Sequence, residues 1–171
     1  MTGAFGRPYK CRMVGFTLNK LHDSFGAEIR GLDLSTPMDI ETRDAVIRAW
    51  LDHLILLFRD QDLSPEAQRA FCEQFGPLGG RLRKVEDRPE GRDAENIMLV
   101  TNVRKNGVPI GSLPDGEMFF HHDKCYAPEP DWGTMLYAME VTRVGGHTLF
   151  ANMYDAWETL PQDLKDRIEG R

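Results

Sequence analysis

The sequence has no apolar run long enough to cross a membrane. Its longest, Leu54-Ile55-Leu56-Leu57-Phe58, is the size of a strand. The N-terminus has basic residues but no apolar stretch of the kind a secretory signal needs. Cysteine is scarce: Cys11, Cys72 and Cys125 are odd in number and far apart. That fits reduced thiols better than a disulfide frame, so the cytoplasm is the expected compartment. Basic residues are not in excess, with 21 Lys and Arg against 27 Asp and Glu and a net charge of -6. A general nucleic-acid binder would show a basic surface, so no nucleic-acid partner is expected. There is no internal repeat and no low-complexity tract. Histidine is limited to five residues: His22, His53, His121, His122 and His147.

What is present is an ordinary globular composition, 41% hydrophobic and 28% charged over 171 residues. That length suits one domain or part of a larger one. Residues 1–13 read as a lead-in and 14–171 as the domain. Residues 13–18 and 25–29 read as short strands around a turn. Val46, Ala49, Trp50 and His53 recur at helical spacing, which predicts an amphipathic helix over about 40–52. Residues 54–58 follow as a buried strand. Ser64-Pro65-Glu66 is a helix start: serine caps free amides, proline fits the first helical position and the acid complements the dipole. That helix should run to about Phe75. Residues 79–96 are charged and turn-rich and read as a long loop. Residues 97–103 read as a strand, with a turn at Lys105-Asn106-Gly107. Residues 134–141 and 147–152 read as strands around a Gly145-Gly146 turn, and 154–160 and 163–169 as helices. The expected class is α+β, with a β-sandwich or barrel at its core.

The chemistry concentrates in Phe120-His121-His122-Asp123. In an extended strand, residues two apart share a face, so His121 and Asp123 can grip one ion while His122 points away. An imidazole and a carboxylate are two of the three ligands of a facial triad for non-haem Fe(II). Taken alone, the tripeptide is more readily a surface ion pair. Cys125 could share the face of Asp123 and would favour a softer ion such as zinc, although a small buried side chain is the plainer reading. His147 alternates with Thr148, so the two should face opposite ways.

The surrounding segments add weight. They are Gly133-Thr134-Met135-Leu136-Tyr137-Ala138, Gly145-Gly146-His147-Thr148-Leu149-Phe150 and Ala156-Trp157-Glu158-Thr159-Leu160-Pro161. Upstream lie Gly26-Ala27-Glu28-Ile29-Arg30-Gly31-Leu32-Asp33-Leu34, Leu57-Phe58-Arg59-Asp60-Gln61 and Phe75-Gly76-Pro77-Leu78. In this order they resemble the TauD/TfdA family, the taurine and 2,4-dichlorophenoxyacetate dioxygenases. Phe120 and His147 stand where that family has tryptophan and aspartate. The resemblance implies a double-stranded β-helix, a jelly-roll of the clavaminate synthase type, with flanking helices. It implies Fe(II) as cofactor, 2-oxoglutarate and O2 as cosubstrates, and a small-molecule substrate that is hydroxylated with release of succinate and CO2. It implies His121 and Asp123 as iron ligands, and Thr148 as the donor to the distal carboxylate of 2-oxoglutarate. It leaves a homo-oligomer open.

Substrate positions depart from the taurine type. Arg81 and Lys84 stand where that type has histidine and tyrosine, and Glu117 where it has asparagine. Arg81, Arg83 and Lys84 suit an anionic substrate, because arginine forks match carboxylates and sulfonates; the plainer reading is a solvated charge run. The resemblance also implies a third histidine ligand and a 2-oxoglutarate-binding arginine on later strands. No histidine here occupies such a place. The chain therefore reads as the N-terminal part of a longer enzyme, a fragment expected to be inactive by itself. Two other readings remain: a zinc-dependent hydrolase, and a non-catalytic piece that docks on a partner chain.

Overall fold

The computed structural model describes residues 10–13, 15–79, 97–111 and 119–170. They divide into two compact units. One draws on residues 1–32, 39–60 and 147–171, the other on 33–38 and 61–146.

The first unit is built on a four-stranded sheet: β1 (Lys10–Met13), β2 (Phe16–Lys20), β3 (Ala27–Arg30) and β4 (Leu56–Phe58), in the order β1-β2-β3-β4. β1, β2 and β3 run antiparallel, and β3 and β4 parallel. A parallel pair needs a crossover connection. Helix α1 (Ile40–His53) supplies it. Residues 10–13 are therefore an edge strand rather than part of a loose lead-in. Gly15, at φ +79°, ends β1 and starts β2, which divides the single strand expected over 13–18. Nothing local marks β1, because its ladder bonds come from β2.

Register places Leu18 opposite Ile29, Ala27 beside Leu56 and Ile29 beside Phe58 on one face. Phe16, Leu18, Ala27 and Ile29 are buried there, as are Ala45, Val46 and Ala49 of α1. The opposite face is polar. Glu28 is buried on it and accepts from Arg30 and Arg59, each at 2.9 Å. Its carboxyl is held below its ordinary value, chiefly by the Arg30 hydrogen bond. Asp39 caps α1 by accepting from the Thr42 amide at 2.7 Å. The helix ends at Leu54, held in the left-handed region at φ 64° while its carbonyl accepts from the Trp50 indole. Strand β4 therefore begins only at Leu56.

Two short helices close this unit's sequence, α3 (Met153–Thr159) and α4 (Gln162–Ile168), as the pattern predicts. Asn152 caps α3 by accepting from the Tyr154 and Asp155 amides, and its amide donates to Ser24 at 3.1 Å. Ser24 in turn donates to Asp155.

The second unit contains α2 (Pro65–Glu73), which starts on Ser64 as predicted and stops two residues before Phe75. Leu63 and Phe71 are buried, and Gln61 and Gln74 hold the amides of Leu34 and Met38. A two-stranded hairpin, β5 (Arg104–Lys105) and β6 (Val108–Pro109), turns on Asn106 and Gly107. Both turn residues have positive φ, as a tight hairpin requires. Residues 97–103, 134–141 and 147–152, expected as strands, join no ladder among the described residues. Alternation of apolar and polar residues sets faces, but a strand also needs a neighbour for its amides and carbonyls. Among the described residues no helix is long and apolar enough to cross a membrane.

Candidate metal site

His121 and Asp123 lie in the second unit, on a segment that enters a turn at Asp123. Lys124, at φ 50°, carries the turn onward. The segment is thus not the regular strand expected from sequence, yet the two side chains meet as that reading required. His121 Nε2 lies 3.1 Å from Asp123 Oδ1, with both side chains about half exposed at 50% and 52%. His121 Nδ1 lies 2.7 Å from the Phe119 carbonyl oxygen. A carbonyl only accepts, so Nδ1 carries a proton and Nε2 is the atom offered to Asp123. That backbone bond is the main cause that raises the His121 pKa, and the Asp123 charge adds to it.

This donor set fits a divalent ion. Two ligands at right angles, each about 2.1 Å from a common ion, are about 3 Å apart. The observed separation is of that size. A metal-bound histidine typically donates its other N–H to a backbone carbonyl, which is what the Phe119 oxygen receives. Without an ion, a proton on Nε2 bridges the same two atoms. The remaining Asp123 oxygen, Oδ2, accepts from Thr134 Oγ1 at 3.0 Å.

The loop after Asp123 is tied by an ion pair between Lys124 and Asp131 at 2.8 Å. Gly79 packs directly on this pair: a Cβ there would fall 2.5 Å from Asp131 Oδ1 and 2.8 Å from Lys124 Nζ. A side chain at residue 79 would make the tips of Lys124 and Asp131 shift. Met135 and Tyr137 anchor the next segment. The Cys72 thiol reaches Met135 Sδ at 3.4 Å, and burial pushes that thiol's pKa up. The Tyr137 hydroxyl accepts from the Leu63 amide at 3.1 Å and donates to the Gln61 carbonyl at 3.2 Å.

Among the described residues no group of three or more His, Cys, Asp and Glu is placed to hold a metal. Cys125 and His147 are both exposed and complete no such group with His121 and Asp123. Thr148 belongs to the other unit and is exposed. The turn before it is as predicted: Gly145 and Gly146 both have positive φ, and Thr142 Oγ1 donates to the Gly145 carbonyl at 2.8 Å. Arg81, Arg83, Lys84 and Glu117 lie outside the described residues. The residue that sequence reasoning missed is Thr134. It lies eleven positions beyond Asp123, and only the fold reveals that it faces the carboxylate.

Comparison with known proteins bears on this arrangement. The profile of the "Taurine catabolism dioxygenase TauD, TfdA family" matches residues 17–171. An (S)-phenoxypropionate/alpha-ketoglutarate-dioxygenase from Sphingobium herbicidovorans is 34% identical over 155 residues, which cover 90% of this chain and 51% of that protein. An alpha-ketoglutarate-dependent 2,4-dichlorophenoxyacetate dioxygenase from Cupriavidus pinatubonensis is 31% identical, with 89% of this chain and 55% of that protein covered. The chain thus spans about half the length of these relatives. A solved structure from Burkholderia xenovorans, provisionally described as an alpha-ketoglutarate dependent 2,4-D dioxygenase, superposes with a TM-score of 0.62. It is 26% identical, and the match covers 91% of this chain and 50% of that one.

Proposed function

This chain belongs to the TauD, TfdA family of dioxygenases, and on that premise we propose that it carries the first two metal ligands of an Fe(II)- and 2-oxoglutarate-dependent dioxygenase. The observation that carries the reading is the 3.1 Å approach of His121 Nε2 to Asp123 Oδ1, with Nδ1 fixed by the Phe119 carbonyl. His121 and Asp123 hold the metal. Fe(II), when bound, supplies the activation of O2 that couples decarboxylation of 2-oxoglutarate to hydroxylation of a C–H bond. Thr148 donates to the distal carboxylate of 2-oxoglutarate, a task that suits a hydroxyl because it adds no charge.

Residues 14–171 form part of the dioxygenase domain in this reading. In this reading residues 134–141 and 147–152, which join no ladder among the described residues, supply strands of its double-stranded β-helix once neighbouring strands pair with them. The exposed apolar side chains along them, among them Leu136, Met139, Val141, Leu149 and Phe150, are the surface such a core covers. The substrate is a small organic anion. The names of the two relatives above make an aryloxyalkanoate the first class to try. Arg81, Lys84 and Glu117 are the substrate residues in this reading, with the two bases matched to its carboxylate. These relatives favour the oxidative reading over a zinc hydrolase.

The test is succinate release by the protein as expressed from its gene, supplied with Fe(II), 2-oxoglutarate, O2 and a panel of aryloxyalkanoates. Succinate that depends on one of these substrates, and is lost in Asp123→Ala, supports the reading. Wild-type rates in Asp123→Ala sink it.

A further inference from the structure

The Asp123 carboxylate uses its two oxygens differently. Oδ1 faces His121 Nε2 at 3.1 Å, whereas Oδ2 accepts the Thr134 hydroxyl at 3.0 Å. We propose that Thr134 is a positioning residue that holds Asp123 as a one-oxygen ligand. This rests on the reading of Asp123 as a metal ligand.

The argument starts from the backbone. Residues 134–137 alternate in burial, the pattern of side chains that face opposite ways in turn. Met135 and Tyr137 are half-buried, and Thr134 and Leu136 are exposed on the other side. Met135 meets the Cys72 thiol of α2, and Tyr137 is bound at both Gln61 and Leu63. With that side fastened, the alternation directs Thr134 toward Asp123. Its hydroxyl is a neutral donor and competes for no cation. An oxygen committed to this bond does not turn to an ion without losing it. Oδ1 is then left as the single donor beside His121. A carboxylate that binds through one oxygen takes one coordination position instead of two. An enzyme that seats a chelating cosubstrate and O2 on one ion needs those positions free. Hydroxyls that orient a ligating carboxylate in this way typically affect metal affinity by 10- to 100-fold.

The experiment titrates the protein, expressed from its gene, with Co(II) under anaerobic conditions. Wild type, Thr134→Val, Thr134→Ser, His121→Ala and Asp123→Ala are compared by calorimetry and by the visible absorption of bound Co(II). The expected result is affinity weakened about tenfold in Thr134→Val, with an altered Co(II) spectrum. Thr134→Ser should restore both. Unchanged affinity and spectrum in Thr134→Val overturn the proposal while the ligand reading stands. A Thr134→Ser variant as impaired as Thr134→Val also overturns it, because packing rather than the hydroxyl would then matter. If Thr134→Val does not fold, Thr134→Ala against Thr134→Ser makes the same comparison. Co(II) binding that is absent from wild type, or equal in His121→Ala and Asp123→Ala, sinks the ligand reading and the proposal with it.

Discussion

Residues 16–58 and residues 119–152 place their apolar side chains in opposite ways. In the first stretch Phe16, Leu18, Ala27, Ile29, Ala45, Val46 and Ala49 are buried between a ladder and a helix. In the second, Phe119 is 93% exposed and Val144 92%, and no residue joins a ladder among those described. Both stretches carry alternating apolar patterns. The first has strand partners close in sequence or returned by α1. The second holds its shape through side-chain bonds: Thr134 to Asp123, Tyr137 to Gln61 and Leu63, and Thr142 to Gly145. The lesson is that the proposed metal ligands are set by a few side-chain hydrogen bonds, whereas the sheet is set by packing.

The contrast can be broken most forcefully from the packed side. Ile29→Ala should destabilise the first unit by about 2–5 kcal/mol, the range for deleting a buried isoleucine side chain. Denaturant unfolding followed by circular dichroism measures this. A loss well below 1 kcal/mol would mean that the sheet face is not a tight core.

Next in size is the acid sensitivity of the same unit. The Glu28 carboxyl is held below its ordinary value of 4.5, first by Arg30 and also by Arg59, against the opposing effect of burial. A depressed carboxyl gives stability that is fully present above the ordinary value and is lost as pH falls through the lowered one. Glu28→Gln should therefore lower the melting temperature near neutrality, and the gap from wild type should close in acid. A gap that stays constant with pH would remove the charge from the explanation.

On the loosely packed side the effects are those of single bonds. Tyr137→Phe removes the acceptor of the Leu63 amide and a donor to Gln61, which should cost about 1–2 kcal/mol. It should also weaken metal binding, because residues 134–137 lose an anchor. Equal stability and equal metal affinity would show that this hydroxyl anchors nothing. Ser64→Ala should cost about 1 kcal/mol, the usual cost of losing an N-cap. Thermal unfolding would register it, and no change would mean that the Ser64 bond to Ala67 is not made in solution.

Features with local causes were legible in the sequence. The starts of α1 and α2 rest on caps and first-turn residues, and the 105–107 and 145–146 turns rest on glycine and asparagine. The pairing of His121 with Asp123 followed from their spacing, though a turn rather than a strand brings them together. Features with distant causes were not legible. β1 exists because β2 supplies its ladder, and Gly15 divides what reads as one strand. Residues 97–103 and 134–141 have strand-like composition, which cannot supply a neighbour. Thr134 carries no mark in sequence, because its role depends on how Met135 and Tyr137 are fastened from α2 and the residues before it.

The most direct test of the central claim is a calorimetric titration of the gene-expressed protein with Mn(II), as a stable substitute for Fe(II), in wild type, His121→Ala and Asp123→Ala. The account predicts one ion bound per wild-type chain and loss of that binding in both variants, with folding intact by circular dichroism. Undiminished Mn(II) affinity in either variant would contradict it.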